Sequence, residues 1–254
     1  MIAERVEIRD AQRDSLLGRV SPLVKLAIAF VWLAGLALTL RPVAPLVLAV
    51  VTLVVGVGLG GVRPSILAWT LAPLWIAAVG IGGFNALFST SNGDLASPEL
   101  VHLGTFRMSA EAALNGLALG LRVVAIAAVG AVFTLTTDST RLADSLVQQA
   151  RLSPRFAYGA LAAYQAIPRF AEDLATLRQA RRIRGLGGSW HPRLLIGLLI
   201  LAIRHGDRLA LSMDARGFGS GPRTVYRPIR WHLLDAGVAV AAVALLAIAL
   251  SAGR

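Results

Sequence analysis

The sequence contains no cysteine and few charged residues. Of its 254 residues, 15% are charged and 56% are hydrophobic, and the mean hydropathy is +0.68. Without cysteine there can be no disulfide, no thiolate metal site and no cysteine nucleophile. Soluble domains carry roughly 25% charged residues. The shortage of charge therefore argues against a soluble domain and indicates an integral membrane protein.

The motifs of common catalytic and metal sites are also missing. The four histidines lie on separate segments, and no His-Glu-x-x-His pair offers two zinc ligands on one helix face. These histidines are His102, His191, His205 and His232. Neither Gly-x-x-x-x-Gly-Lys nor Gly-x-Ser-x-Gly is present, which argues against a P-loop and against a serine hydrolase. We expect no catalytic residue, no metal site and no cofactor in this chain.

Five apolar runs predict transmembrane helices, because each approaches the length that a bilayer requires. They cover residues 24–40, 43–60, 65–89, 112–135 and 233–250. The turn-forming residues that follow the third run predict a loop, extending to about residue 110, on the outer side of the membrane. Charged residues recur throughout 1–20, so no signal peptide is expected and the N-terminal segment should remain in the cytoplasm.

Two features inside these runs predict how the helices pack. Arg122 would cost about 2.5–3.5 kcal/mol if it faced lipid at mid-depth, so we expect it to face protein or to extend to the interface. Two pairs of glycines lie four residues apart, Gly56 with Gly60 and Gly116 with Gly120. Such pairs allow helices in lipid to approach closely, so we interpret them as packing residues.

Positive charge is concentrated in one segment. Residues 141–232 contain 15 of the 25 Lys and Arg but only 5 of the 14 Asp and Glu. The positive-inside rule places such a segment in the cytoplasm. Hydrophobic periodicity predicts an amphipathic helix over 141–152 and a second helix from Pro154. The apolar run 194–203 is too short to span, so we expect it within a buried or partly membrane-inserted helix that continues to Arg216.

A short motif recurs in this basic segment at an interval of 32 residues. Ile183-Arg184-Gly185-Leu186-Gly187 aligns with Ala215-Arg216-Gly217-Phe218-Gly219. Each copy closes a predicted helix. Glycine just beyond a helix adopts the left-handed conformation of a C-cap easily, and arginine is favourable at the negative end of the helix dipole. One such end is ordinary, but two of them in a basic segment indicate a pair of matching docking elements. A pair of plain helix caps is the alternative.

The residues around these motifs resemble a known family. They are Pro168-x-x-x-Glu172, Ala180-x-x-Ile183-Arg184-Gly185, Ser212-Met213-Asp214-Ala215-Arg216-Gly217-Phe218 and Arg223-Thr224. Together they are similar to the C-terminal signature of the transmembrane T component (EcfT/CbiQ family) of energy-coupling-factor (ECF) transporters. Ser21-Pro22-Leu23-Val24-Lys25-Leu26 also resembles the N-terminal consensus of that family. The resemblance implies a scaffold that joins a substrate-binding S component to two ABC-type ATPases, which bind ATP, for uptake of a vitamin or a transition-metal ion.

The resemblance also implies specific docking residues. In this family two X-Arg-X motifs end two coupling helices, and each arginine docks into a groove on one ATPase. The corresponding residues here are Ile183, Arg184 and Gly185 in the first motif and Ala215, Arg216 and Gly217 in the second. Ala180-Arg181-Arg182 offers a second frame for the first motif, so Arg181 and Arg182 remain secondary candidates.

The expected fold is all-α: a polytopic membrane protein with about five transmembrane helices and amphipathic cytoplasmic coupling helices. The expected parts are a cytoplasmic N-terminal segment (1–23), a four-span part (24–136), a coupling-helix domain (137–232) and a last transmembrane helix (233–254). The expected location is the bacterial or archaeal cell membrane. A self-contained transporter and a basic protein that binds the membrane surface remain alternatives. Nucleic-acid binding is not expected, because few aromatic residues are placed to stack on bases.

Overall fold

The computed structural model describes residues 15–39, 41–93, 98–103, 106–186, 190–221 and 224–252. Most of the predicted cytoplasmic N-terminal segment (residues 1–14), Gly187 of the first motif and Arg223 lie outside the described residues. The chain forms two compact units, residues 1–138 with 230–254 and residues 139–229. Regular structure in the described residues is almost entirely α-helical, which confirms the expected fold class.

The elements are as follows, in chain order. The helices are α1 (Leu16–Arg19), α2 (Pro22–Ala37), α3 (Val43–Gly58), α4 (Pro64–Phe88), α5 (Ala110–Thr136), α6 (Ser139–Gln148), α7 (Pro154–Ile183), α8 (Pro192–Ala215) and α9 (Leu233–Ala252). A 3-10 turn (Thr90–Gly93) and two strands, β1 (Glu99–Leu103) and β2 (Phe106–Ser109), separate α4 from α5.

Each of the five predicted apolar runs coincides with one helix of the first unit. Helices α4, α5 and α9 are long and apolar enough to cross a membrane. Helices α2 and α3 are equally apolar but contain 16 residues each, which corresponds to about 24 Å against a hydrocarbon core of about 30 Å. The first unit is therefore a helical membrane bundle in which two members are short.

The segment between α4 and α5, which was expected to be a loop, contains an antiparallel β-hairpin. Residues 102 and 103 of β1 pair with residues 107 and 106 of β2. Asn92 connects the two helices below it: its Nδ2 donates to the carbonyl of Ala86 and its Oδ1 accepts from the backbone N–H of Ser109. The Ser109 hydroxyl in turn accepts from Ala112 N–H at the start of α5. Strands this short carry too weak an alternation to be predicted from sequence.

The glycine pairs allow the close helix packing that their spacing predicted. A Cβ added at Gly120 would lie 3.0 Å from the carbonyl oxygen of Ala78, and one added at Gly116 would collide with the backbone of Gly82. A Cβ at Gly56 would lie 2.6 Å from the Val132 side chain of α5. At Gly116 and Gly120, α5 thus contacts α4 backbone to backbone, whereas Gly56 of α3 makes room for the Val132 side chain of α5.

Buried polar groups connect the start of α2 to its neighbours. The Asp235 carboxylate, 2% exposed, accepts from the backbone N–H groups of Ser21 (2.8 Å) and His232 (3.0 Å). Lys25 Nζ donates to the carbonyl oxygen of Thr136 at the end of α5 (2.9 Å). These bonds satisfy helix-terminal groups that would otherwise be costly to bury. They place the start of α2, the start of α9 and the end of α5 at one level of the bundle.

Arg122 faces protein, which is the first of the two positions expected for it; the other was an extended side chain reaching the membrane interface. Its guanidinium donates to the carbonyl oxygen of Thr39, beyond the end of α2. Carbonyl groups at a helix C-terminus lack partners within the helix, so an arginine from a neighbouring helix can satisfy one. Arg122 therefore marks the level at which α2 ends alongside α5.

The second unit consists of α6, α7 and α8 with the segment that follows them. Helix α6 ends at Gln148, four residues earlier than the amphipathic pattern indicated, because Ser153-Pro154 begins the next helix and Arg151 adopts a positive φ of 55°. Gln148 holds the later segment, donating to the Arg227 carbonyl and accepting from Ile229 N–H.

Helix α8 contains the short apolar run, as expected, but most of its apolar side chains are exposed rather than buried. Leu194 is buried, whereas five other large apolar residues of the run are 47–60% exposed. They are Leu195, Ile196, Leu199, Ile200 and Ile203. The apolar run therefore forms an exposed apolar face on a cationic unit.

Candidate functional site

The first Arg-Gly motif forms the C-terminal cap of α7. Arg184 is the C-cap residue, and Gly185 follows in the left-handed conformation with φ +69°. Gly185 N–H donates to the carbonyl of Arg182 (3.0 Å), and Leu186 N–H donates to that of Arg181 (3.2 Å). This pair of bonds is the Schellman motif, which satisfies the last carbonyls of a helix.

The second motif forms the same cap on α8. Arg216 is the C-cap residue and Gly217 has φ +64°. Gly217 N–H donates to the carbonyl of Asp214 (2.8 Å), and Phe218 N–H donates to that of Met213 (2.9 Å). The expectation that glycine closes both helices in the left-handed conformation is confirmed. The repeat at 32 residues is therefore a repeat of backbone geometry as well as of residue type.

The alignment of the two caps separates the two possible frames of the first motif. Arg184 occupies the same cap position as Arg216, whereas Arg181 and Arg182 belong to the last helical turn and supply its carbonyl acceptors. Arg181 is half-buried and Arg182 is exposed. Arg184 is thus the structural equivalent of Arg216.

Both cap arginines are exposed. Ile183, which precedes the first of them, is 87% exposed, and Ala215, which precedes the second, is exposed as well. Within the described part of the chain, no hydrogen bond or ion pair involves the guanidinium group of Arg184 or of Arg216. Each motif therefore presents five N–H donors to solvent at the end of a helix.

The two motifs lie at opposite ends of an antiparallel pair of helices. Helices α7 and α8 contact each other at two places. The Leu177 side chain would lie 3.3 Å from a Cβ added at Gly197. The Phe170 ring meets the His205 ring edge-on, with 6.4 Å between ring centroids. At the start of α7, Arg155 donates to the carbonyl oxygen of Gly219, just beyond α8. The second motif thus lies beside the start of α7 and the first lies at its end. The two motifs are therefore separated by about the length of α8, 24 residues, which is about 36 Å.

Side chains that the sequence did not single out support the second motif. The Phe218 ring meets the ring of Tyr158 edge-on with 6.5 Å between centroids. Tyr158 Oη donates to Oδ1 of Asp144 (2.7 Å), a residue of α6 that is 9% exposed. An edge-on aromatic contact and a bond to a carboxylate are both stabilising. The only signal in the sequence was an aromatic residue directly after the capping glycine.

Gly219 adds a second contact to this support. Its φ is +84°, and a Cβ there would collide with the guanidinium of Arg155, which bonds its carbonyl. Only glycine fits both the conformation and the close approach.

In the described residues we find no group of three or more His, Asp or Glu positioned to bind a metal ion.

Comparison with known proteins identifies the family. The family model described as cobalt transport protein (CbiQ) matches residues 13–226. The chain is 28% identical to the energy-coupling factor transporter transmembrane protein EcfT of Bacillus selenitireducens, covering 95% of this chain and 94% of the relative. It is 28% identical to EcfT of Limosilactobacillus fermentum over 92% of each chain. It is 30% identical to EcfT of Heliobacterium modesticaldum over 90% of each chain.

The family match and the structure agree on one kind of protein. The match covers most of the chain, and the described residues form a bundle of apolar helices with a separate cationic helical unit. The chain therefore belongs to the CbiQ/EcfT family and is a transmembrane component of an energy-coupling factor transporter.

Proposed function

We propose that this chain is the scaffold that couples two ABC-type ATPases to a substrate-binding S component in an importer. The observation that carries the proposal is the pair of matching helix caps at opposite ends of α7 and α8, each presenting an exposed arginine. Two ATPase subunits require two docking elements that are well separated. The separation of about 36 Å along α8 meets that requirement.

The chemistry of arginine suits this role. A planar guanidinium with five donors binds several carboxylate or carbonyl acceptors in a groove through charge-assisted hydrogen bonds. Arg184 and Arg216 are the principal docking residues in this proposal. Ile183, Gly185, Ala215 and Gly217 shape the two ends, and Arg181 and Arg182 make secondary contacts.

The rigidity of the helices accounts for transmission of motion. ATPase closure takes place in the cytoplasm, and a stiff element is needed to pass it to the membrane subunits. Helix α7 and helix α8 extend over 30 and 24 residues, about 45 and 36 Å, and α7 remains helical through Pro168 in its interior. A displacement applied at a capped end therefore moves the whole helix.

Charge supports a topology for the complex in the bacterial or archaeal cell membrane. In this proposal the cationic unit and the N-terminal segment lie in the cytoplasm, following the positive-inside rule. The five apolar helices lie in the bilayer beside the S component. ATP is bound by the ATPases and the substrate, a vitamin or a transition-metal ion, is bound by the S component, so this chain performs no catalysis.

The direct test is purification of the detergent-solubilised protein from its native membranes, with mass spectrometry of the proteins that remain bound in moderate salt. We expect two ABC-type ATPase subunits and a small hydrophobic membrane protein, whose identity would indicate the substrate. Arg184→Ala and Arg216→Ala should each retain less ATPase than the unchanged protein. The matched control is Arg169→Ala, which removes an exposed arginine from the middle of α7 and should retain the ATPases. Recovery of the chain alone, transporting a solute after reconstitution, would contradict the proposal and favour a self-contained transporter.

A further inference from the structure

Helices α4 and α5 continue well beyond the level at which α2 ends and α3 begins. Arg122 of α5 bonds the carbonyl of Thr39 at the end of α2. From Arg122 back to Ala110, α5 extends about a further 18 Å at about 1.5 Å per residue. Its close helix contacts in that portion are with α4, where Gly120 faces Ala78, and the 3-10 turn and β2 contact α5 as well. Thr39 and Arg41, described residues that lie between α2 and α3, therefore form the floor of a recess, and the extended α4–α5 pair is its wall.

The extended portion of the α4–α5 pair is apolar on its exposed surface. Five large apolar side chains there are 53–76% exposed: Ile76, Val79, Phe84, Leu114 and Leu117. A surface of this kind requires hydrocarbon around it. Helices α2 and α3, at about 24 Å, are shorter than the hydrocarbon core of about 30 Å. The floor of the recess therefore lies below the surface of the apolar layer.

Two arginines lie at this floor. Arg41 is exposed in the connection between α2 and α3. Arg122 is half-buried, and its Nε is buried without a hydrogen-bond partner in the described residues. Positive groups at such a depth are costly unless an anion or a polar group neutralises them. A guanidinium matches the geometry of phosphate oxygens particularly well.

We propose that this recess binds an anionic phospholipid, with its phosphate at Arg41 and Arg122 and its acyl chains along α4 and α5. The occupant must combine an anionic group with a long apolar part, because the floor is cationic and the wall is apolar. A phospholipid has both and surrounds the protein at high concentration. A headgroup at this depth also thins the bilayer locally and matches it to the short helices α2 and α3. This site is independent of the proposed ATPase docking.

Native mass spectrometry of the purified full-length chain tests the site. The chain is titrated in detergent with phosphatidylglycerol or with phosphatidylcholine of identical acyl chains. We expect preferential retention of phosphatidylglycerol, and we expect Arg41→Gln and Arg122→Gln each to weaken that retention about fivefold. The control is Arg63→Gln, an exposed arginine at the start of α4 and the opposite end of that helix, which should change retention less than twofold.

Arg122→Gln also removes the hydrogen bond to Thr39 and can therefore affect folding. Arg41 is exposed, so Arg41→Gln tests the lipid site without that complication. Equal retention of the two lipids would overturn the proposal. Retention of phosphatidylglycerol that neither Arg41→Gln nor Arg122→Gln reduces would overturn it too. A structure of the membrane complex with a partner-protein helix in the recess, and no lipid phosphate within hydrogen-bond distance of either arginine, would also overturn it.

Discussion

The two Arg-Gly helix ends share a backbone structure but differ in what surrounds it. Both are Schellman caps with a left-handed glycine after an exposed arginine. At the second end, Phe218 packs on Tyr158, which bonds Asp144. At the first end, Leu186 occupies the position equivalent to Phe218 and is 51% exposed. Among the described residues other than its chain neighbours, none has an atom within 4 Å of a Cβ built at Gly185.

The difference shows that the cap itself forms from neighbouring residues, whereas the contacts that support it come from residues distant in sequence. A Schellman cap needs only its own helix and a glycine, so the same residues produce it twice. Phe218 contacts Tyr158 of α7, which in turn bonds Asp144 of α6, and both residues are distant from it in sequence. Helix α7 therefore carries the first motif at its end and supports the second motif through Arg155 and Tyr158 at its start. The second end should be the more rigid of the two before any partner binds.

The largest effect is expected from reversing the charge of the cap arginines. Arg184→Glu and Arg216→Glu should each lower the affinity for the ATPases roughly 30-fold or more, because each places a carboxylate against an acceptor groove. Quantitative copurification in a salt series measures this. If Arg184→Glu has the effect of the control Arg169→Ala while Arg216→Glu abolishes binding, the two ends are not equivalent in docking.

A second prediction concerns the support of the second end alone. Tyr158→Phe removes the hydroxyl that bonds the Asp144 carboxylate, a bond whose loss costs about 1.5 kcal/mol or more. We expect faster hydrogen exchange of the amides of Gly217 and Phe218 in the full-length protein. The amides of Gly185 and Leu186 report on the first end and serve as an internal control. Equal acceleration at both ends would contradict separate support.

A third prediction tests the shared cap. Gly185→Ala and Gly217→Ala force alanine into the left-handed conformation, which costs about 1 kcal/mol at each position. The two losses should agree closely in thermal unfolding of the purified protein. A Cβ at Gly217 would meet the Ser220 hydroxyl at 2.9 Å, and that hydroxyl also donates to the Gly217 carbonyl. Comparing the double variant Gly217→Ala with Ser220→Ala against Ser220→Ala alone therefore isolates the backbone strain. A loss at only one glycine would show that the caps are not energetically equivalent.

The smallest effect is expected at the exposed hydrophobic residue of the first cap. Leu186→Ala should change stability by less than about 0.5 kcal/mol, because an exposed side chain has little packing to lose. Phe218→Ala at the equivalent position should cost about 1 kcal/mol or more through its lost aromatic contact. Thermal unfolding of the two variants side by side provides the comparison. A larger loss for Leu186→Ala would mean that the first end has support of its own.

Sequence patterns that depend only on neighbouring residues predicted the positions of most helices in this protein. Runs of apolar residues located all five membrane-bundle helices, because helix length and hydropathy are local properties. The glycines of the repeated motif located the ends of α7 and α8 for the same reason. The roles of Arg184 and Arg216 came from resemblance to a family, and they stay predictions. The short β-hairpin and the early end of α6 were not predicted.

What the sequence by itself determined, then, are the elements: the apolar helices, the cationic segment and the two identical caps. Tertiary structure alone decided which of them meet. The antiparallel pairing of α7 and α8 separates the two caps, and Tyr158 and Asp144 support only one. The bond from Arg122 to Thr39 defines the recess beside the α4–α5 pair. These contacts join residues far apart in the chain, and their formation depends on which helix faces pack together, which no local pattern specifies.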